Sequence, residues 1–139
     1  MHRFISRAML FLCTAAGAQA ATLTVNVTQV KKAEGRLMVR LVDSAEAYQG
    51  KAEQLANRMF DVTSAGAMRI EFPDLKPGYY AVSVFHDENG NGKLDKNFVG
   101  IPSERYGFST NPNVMGKPSY DEIKFEMPDS AHSITIELN

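Results

Sequence analysis

The nine-residue segment Asp87–Asp95 has oxygen-bearing side chains at a spacing that suits a hard metal cation. Acidic or amide side chains stand at its first, third and fifth places, a glycine at the sixth and an aspartate at the ninth. In calcium loops, such alternate side chains converge on one centre, and the glycine permits a turn that directs the seventh residue's carbonyl inward. The segment therefore predicts a Ca²⁺ site formed by Asp87, Asn89, Asn91, Lys93 (through its carbonyl) and Asp95.

The segment departs from an EF-hand in two ways. Its twelfth place, where an EF-hand has a bidentate Glu, is Phe98, and the preceding Tyr79–His86 alternates like a strand rather than a helix. Two Asn in place of Asp also lower the ligand charge, so we expect weak affinity, as in extracellular calcium modules. Further oxygens would have to come from elsewhere, and the candidates are Glu88, Glu104, Asp121 and Glu122.

Two alternatives to calcium stay open for this segment. The pairs Asn89-Gly90 and Asn91-Gly92 are favourable hairpin-turn residues, and Asp87 and Asp95 could cap loop amides without any metal. Another ligand in place of calcium is the second alternative.

His86 borders the segment and is the residue around which an enzymatic hypothesis would be built. It shares a face with Tyr80, Val82 and Val84, which indicates a position at the rim of the core, where a lone histidine is usually structural. The chain shows no nucleophile elbow and no phosphate loop. We therefore expect no enzyme, with an envelope enzyme that uses His86 and a nearby acid as the less favoured alternative.

The N-terminus has the three parts of a secretory signal. A basic start precedes the apolar run Ala8–Ala16, and Ala18-Gln19-Ala20 supplies small residues at the cleavage positions. We therefore predict a signal peptide over residues 1–20 and a periplasmic or extracellular protein with no transmembrane segment after cleavage. Cys13 is the only cysteine, so the mature chain would have neither a disulfide nor a thiolate ligand.

The charge of the mature chain argues against one class of partner. The signal holds two of the 15 basic residues and none of the 16 acidic ones, which leaves a net charge of −3. Because no basic patch or run stands out, we expect no nucleic-acid binding.

Alternation of apolar and polar residues with a period of two dominates residues 21–139 and predicts strands. It runs through Thr22–Lys31, Arg36–Asp43, Met68–Phe72, Tyr79–His86, Ile123–Met127 and Ile134–Leu138. These six strands, each with one apolar face, predict a single all-β domain, a two-sheet antiparallel β-sandwich of about seven strands. The seventh strand could lie in Arg58–Val62 or in the long loop, and the one short helix is predicted within Lys51–Phe60.

The long loop is Gly100–Tyr120, which shows no period and is rich in aromatic residues. We expect it to fold over the sandwich as an ordered flap. Its aromatic residues Tyr106, Phe108 and Tyr120 would then offer a surface to an envelope protein or glycan, or alternatively form a satellite core.

Two groups of residues carry resemblances. The corner Leu75-x-Pro77-Gly78-x-Tyr80 resembles prealbumin-like sandwiches. The segments Phe85–Asp95, Gly100–Glu104 and Tyr106–Ser109 closely resemble a bacterial exported family of unknown function with the label 2141. This second resemblance implies a secreted single β domain with no established activity and no established ligand. From the loop and the flap we expect a non-enzymatic binding or accessory module, and a purely structural or interaction domain without metal is the alternative.

Overall fold

The structure, a computed structural model, describes residues 19–139; the predicted signal peptide lies outside the described residues except for Gln19 and Ala20. The strands are β1 (Ala21–Val30), β2 (Arg36–Val42), β3 (Ala56–Asp61), β4 (Gly66–Leu75), β5 (Gly78–Asp87), β6 (Tyr106–Phe108), β7 (Phe125–Met127) and β8 (His132–Glu137). Two four-residue helices complete the fold, α1 (Ala45–Tyr48) and α2 (Tyr120–Ile123). Within residues 19–139, no helix is long and apolar enough to cross a membrane.

The strands form two sheets, which confirms the predicted all-β sandwich. The smaller sheet has the order β4-β1-β8, and the larger has the order β3-β2-β5-β6, with β7 paired to one end of β5. The pairing of β1 with β8 is parallel and places Val25 opposite Ile134, whereas the other strand pairs are antiparallel.

The core lies between the two sheets and is built from the predicted alternation. Every second residue of the central strands is fully buried, because a half-buried strand turns alternate side chains to opposite faces. The members with no exposed surface include Leu23, Val25, Val27, Leu37, Val39, Val82, Ile136 and Leu138.

The predicted helix within Lys51–Phe60 is wrong, and the predicted edge strand is correct. The helix lies earlier, at Ala45–Tyr48, because Ser44 caps it by accepting a hydrogen bond from the Ala47 amide at 3.1 Å. Residues Ala56–Asp61 form β3 instead, at the edge of the larger sheet. Pairing with β2 supplies the backbone hydrogen bonds, which local helical propensity does not outweigh.

A second difference concerns Ile123, which the alternation places in a strand with Phe125 and Met127. Ile123 instead ends α2, because Ser119 and Glu122 form a capping box that starts a helix at Tyr120. The strand β7 begins only at Phe125.

The corner before β5 has the geometry that the resemblance implies. The hydroxyl of Tyr80 donates to the Lys76 carbonyl at 2.6 Å, and the ring is almost fully buried. This hydrogen bond fixes the turn at Lys76-Pro77 between β4 and β5.

The long loop is less irregular than its sequence indicates, because Tyr106–Phe108 forms β6 and extends the larger sheet beside β5. Ser109 fixes the chain directly after β6. Its hydroxyl accepts from the Val82 amide at 3.1 Å and donates to the Ile123 carbonyl, so one buried side chain joins the loop, β5 and α2.

We expect Ser109→Ala to lower the free energy of unfolding by about 1–3 kcal/mol, because it leaves a buried amide and a buried carbonyl without this partner. Ser64→Ala, at an exposed position, is the control and should change stability by less than about 0.5 kcal/mol. Urea unfolding of both variants checks this, and equal stabilities would contradict the assigned role of Ser109.

Candidate functional site

Strand β5 ends at Asp87, which is the first residue of the predicted cation loop, Asp87–Asp95. The Asp87 side chain is almost fully buried, and its two carboxylate oxygens accept hydrogen bonds from the amides of Asn91 at 3.2 Å and Gly92 at 2.8 Å. The loop is therefore wrapped around the carboxylate of its own first residue.

The other predicted loop residues meet at the same place. The side-chain amides of Asn89 and Asn91 donate to the two carboxylate oxygens of Asp95, at 2.6 and 2.7 Å. The Asn91 side-chain oxygen accepts from the Lys93 amide at 2.9 Å, and that of Asn89 from the Asn91 amide at 3.2 Å. The structure thus brings together the four predicted side chains in one hydrogen-bonded network.

This network offers oxygens of the kind that calcium prefers. A carboxylate or amide oxygen that accepts one hydrogen bond keeps a further lone pair, and the side-chain amides of Asn89 and Asn91 turn their N–H groups to Asp95. Within residues 19–139, no group of three or more His, Cys, Asp or Glu side chains is placed to hold a metal. A cation here would therefore need the amide oxygens of Asn89 and Asn91 and backbone oxygen in addition to the two aspartate carboxylates.

Glu104 follows the loop in the chain and accepts hydrogen bonds from both ends of the loop. Its buried carboxylate accepts from the Glu88 amide at 2.6 Å and from the Asp95 amide at 2.9 Å, and thereby holds both ends of the loop. The other three candidate oxygen donors have different partners. Glu88 pairs with Lys32, Asp121 pairs with Lys124, and Glu122 closes the capping box of α2.

The turn between β1 and β2, residues 31–35, contacts the start of the Asp87–Asp95 loop. The Lys32 ammonium lies 3.0 Å from the Glu88 carboxylate, and the hydrogen bond between them raises the pKa of Lys32. Gly35 lies so close that an added Cβ would overlap the Asp87 carbonyl oxygen and stand 2.7 Å from the Glu88 Cα. The turn and the start of the loop are thus in direct backbone contact.

His86 is fully buried on the inner face of β5, on the same side as Val82 and Val84, as the alternation predicts. Its Nε2 lies 2.6 Å from the Glu34 carbonyl, and its backbone amide donates to the Arg105 carbonyl at 2.8 Å. Among residues 19–139, Nδ1 has no hydrogen-bond partner. The His86 ring is therefore closed off from solvent.

After the loop, residues 96–102 form a short hairpin that carries exposed apolar residues. The side-chain oxygen of Asn97 accepts from the amides of Val99 and Ile101, and the Ser103 amide donates to the Asp95 carbonyl at 2.8 Å. Phe98 at the tip is fully exposed. The hairpin is therefore attached to the predicted cation loop through Asp95.

This hairpin forms one wall of a cleft of ≈ 800 Å³ on the outer face of the larger sheet. The floor comes from the outward-facing residues of β2, β3, β5 and β6, and a second wall comes from residues 114–117. The sequence pattern does not predict this cleft, because its residues come from separate strands and loops. The available signal was that Met38 and Phe85 are apolar on faces expected to meet water.

The three aromatic residues expected to form one contact surface are divided between two places. Tyr106 and Phe108 line the cleft with their ring centroids 5.9 Å apart, edge to face. Tyr120 packs against a second apolar cluster that includes Val42 and Ile123, and Phe108 contacts this cluster as well. The satellite core is therefore present, and the contact surface stays a prediction.

The fold and the loop define a small all-β domain with a cation-loop candidate beside an open cleft. Over residues 25–135 the chain matches the family described as "Uncharacterized protein conserved in bacteria" (DUF2141), and it belongs to this family. No curated protein and no solved structure matched the chain. The resemblance carried by the loop motif is confirmed, and it supplies a family without an assigned activity.

We expect Gly35→Ala to destabilise the protein more than Gly50→Ala. Both glycines have a left-handed backbone, with φ of 67° and 78°, which costs an alanine roughly 1–2 kcal/mol. Only at Gly35 would the new methyl group also strike the Asp87 backbone, since nothing lies within 4 Å at Gly50. Overpacking adds about 1–3 kcal/mol at Gly35. Thermal unfolding measures the difference, and equal losses would contradict the close contact between turn and loop.

Proposed function

We propose that this protein is an exported binding module without catalytic activity, whose Asp87–Asp95 loop binds Ca²⁺ and braces one wall of the outer-face cleft. The observation that carries the proposal is the attachment of the cleft wall to the loop. Asp95 belongs to the cation network through its carboxylate and holds Ser103, at the end of the wall hairpin, through its carbonyl. Ordering the loop would therefore also order the wall.

The loop chemistry supports calcium in particular. Two carboxylates provide the negative charge, and the amide oxygens of Asn89 and Asn91 with the Lys93 carbonyl would add neutral oxygen ligands, which suits a hard cation. Because the site has only two charged ligands, its affinity would be weak, and occupancy would require the calcium levels found outside a cytoplasm. The secretory pattern of residues 1–20 and the bacterial family support a periplasmic or extracellular location.

The proposal assigns recognition to the cleft rather than to a catalytic residue. His86, the residue of the enzymatic alternative, is buried against the Glu34 carbonyl on the opposite face of the sheet from the cleft floor. An envelope molecule bound in the cleft would instead contact Tyr106 and Phe108. We therefore place the partner, a glycan, protein segment or smaller molecule, on the outer face of the larger sheet.

We expect several millimolar CaCl₂ to raise the melting temperature of the protein, whereas NaCl at matched ionic strength should not. Binding to the folded state alone stabilises by mass action, by about 1.4 kcal/mol at ten times the Kd. Asp87→Asn and Asp95→Asn should each reduce the calcium-dependent shift. Asp129→Asn, at an exposed turn position, is the matched control and should keep it.

Differential scanning calorimetry with CaCl₂ and with EDTA measures these shifts for each variant. An unchanged melting temperature of the wild type at several millimolar CaCl₂ would overturn the calcium proposal. A shift that is equal in Asp95→Asn and in the wild type would move the bound cation away from this loop.

A further inference from the structure

We infer that the outer-face cleft binds an amphipathic anion, a molecule with an apolar body and one carboxylate, and that Arg40 anchors the carboxylate. This inference rests on the proposed function in one respect, that the cleft is the binding site. It adds the chemical class of the ligand and the residue that recognises its charge.

The cleft floor has an apolar row and a polar row. Strand register places Met38 of β2 opposite Phe85 of β5, and Phe85 opposite Tyr106 of β6. Two residues along the strands, Arg40 lies opposite Ser83. Neighbouring same-face residues on a strand are about 6–7 Å apart, so the two rows match the two ends of a small amphipathic molecule.

The polar row continues across the larger sheet on the β3 side and ends at an aromatic residue on the β6 side. Asn57 of β3 lies opposite Arg40, and Phe108 of β6 lies opposite Ser83. Amide and hydroxyl groups therefore flank the guanidinium and could donate further hydrogen bonds to a carboxylate.

The walls extend the apolar part of the cleft. Leu94 and Ile101 line it from the hairpin side, and Val114 and Met115 line it from the opposite wall. Met115 is fully exposed and Ile101 is 60% exposed, which is unfavourable for large apolar side chains unless something covers them. The volume of ≈ 800 Å³ lies within the roughly 300–1,000 Å³ of small-molecule sites.

The charges of the lining residues have one sign. Arg40, Lys96 and Lys117 line the cleft, and none of its lining residues in the described part of the chain is Asp or Glu. The mature chain as a whole carries a net charge of −3 if residues 1–20 are removed. Positive charge is thus concentrated in the cleft of an otherwise acidic protein, which favours an anionic ligand.

The Arg40 guanidinium is held in place by Tyr48, and not all of its N–H groups have a hydrogen-bond partner. One of its terminal nitrogens donates to the Tyr48 carbonyl at 2.8 Å, and the guanidinium carbon lies 5.5 Å from the centre of the Tyr48 ring. Its Nε is buried and has no hydrogen-bond partner among residues 19–139. Because Nε is buried, a carboxylate in the cleft would meet the terminal N–H groups of Arg40 that Tyr48 does not use, in a charge-assisted hydrogen bond.

A second cation lies at the same end of the cleft. The Lys117 ammonium stands 4.5 Å from the centre of the Tyr48 ring, and the Tyr48 hydroxyl donates to the Pro118 carbonyl at 2.8 Å. Tyr48 therefore fixes the segment that carries Lys117 and also accepts from Arg40. The negative group of the ligand would lie here, with its apolar body towards Phe85 and Leu94.

The test uses protein expressed from the full-length chain and a fluorescent long-chain carboxylate as the probe. Unlabelled dodecanoate and dodecanol, kept below their aggregation limits, compete for the probe; they share a chain length and differ in charge. We expect dodecanoate to compete about tenfold more strongly than dodecanol, a difference of 1.4 kcal/mol.

Two cleft variants and one control assign the preference to Arg40. Arg40→Met should weaken dodecanoate about tenfold and leave dodecanol nearly unchanged, and Lys117→Met, at an exposed position, should weaken dodecanoate by a smaller factor. Arg69→Met, on the exposed face of the other sheet, should bind like the wild type. Because Lys117 is exposed, its variant remains informative if Arg40→Met folds poorly.

The outcomes separate this inference from the proposed function. Equal competition by dodecanoate and dodecanol, with binding of both lost in Ser83→Trp, would overturn the anionic ligand and keep the cleft as a binding site. Failure of both compounds to bind would also overturn the inference. The calcium-dependent melting shift tests the proposed function separately. Unchanged dodecanoate affinity in both Arg40→Met and Lys117→Met would remove the assigned anchor.

Discussion

The carboxylate of Glu104 is the interaction on which the conformation of the Asp87–Asp95 loop depends. It holds the amides of Glu88 and Asp95, at the two ends of the predicted cation loop, and it is itself buried. A buried carboxylate needs hydrogen-bond donors, and two backbone amides supply them here. The entry and exit of the loop are thereby brought together, so that its other side chains converge and the hairpin after the loop starts from a fixed point.

The larger sheet serves two purposes because its two faces differ. Its inner face completes the core with Val39 and Val82, whereas its outer face carries Met38 and Phe85 into an open cleft. Rigid core strands thus set the positions of the residues on the cleft floor. The walls come from loops, which is the usual arrangement for recognition on a β scaffold, since loops tolerate change while the sheet keeps its geometry.

Much of the fold can be predicted from the sequence because a period of two directly reflects burial on one face. The convergence of Asp87 and Asp95 is also predictable from spacing, because both belong to one short loop. The cleft could not be predicted in this way, since Arg40 and Lys117 are distant in the chain and only strand pairing and loop packing bring them to one place. The role of Glu104 illustrates the same limit. The sequence offers it as one of four acidic candidates, and only the tertiary structure shows that it holds the loop.

Amide hydrogen exchange of Glu104→Gln tests most directly whether this carboxylate organises the loop. Gln keeps the size of the side chain but removes its charge and leaves one oxygen to accept where two accepted before. We expect the amides of Glu88 and Asp95 to exchange about tenfold faster or more, as for a local opening made easier by 1.4 kcal/mol, while amides in the centre of β1 change little. The exposed Glu137→Gln serves as the control. Protection of both loop amides at the wild-type level in Glu104→Gln would contradict the organising role of this carboxylate.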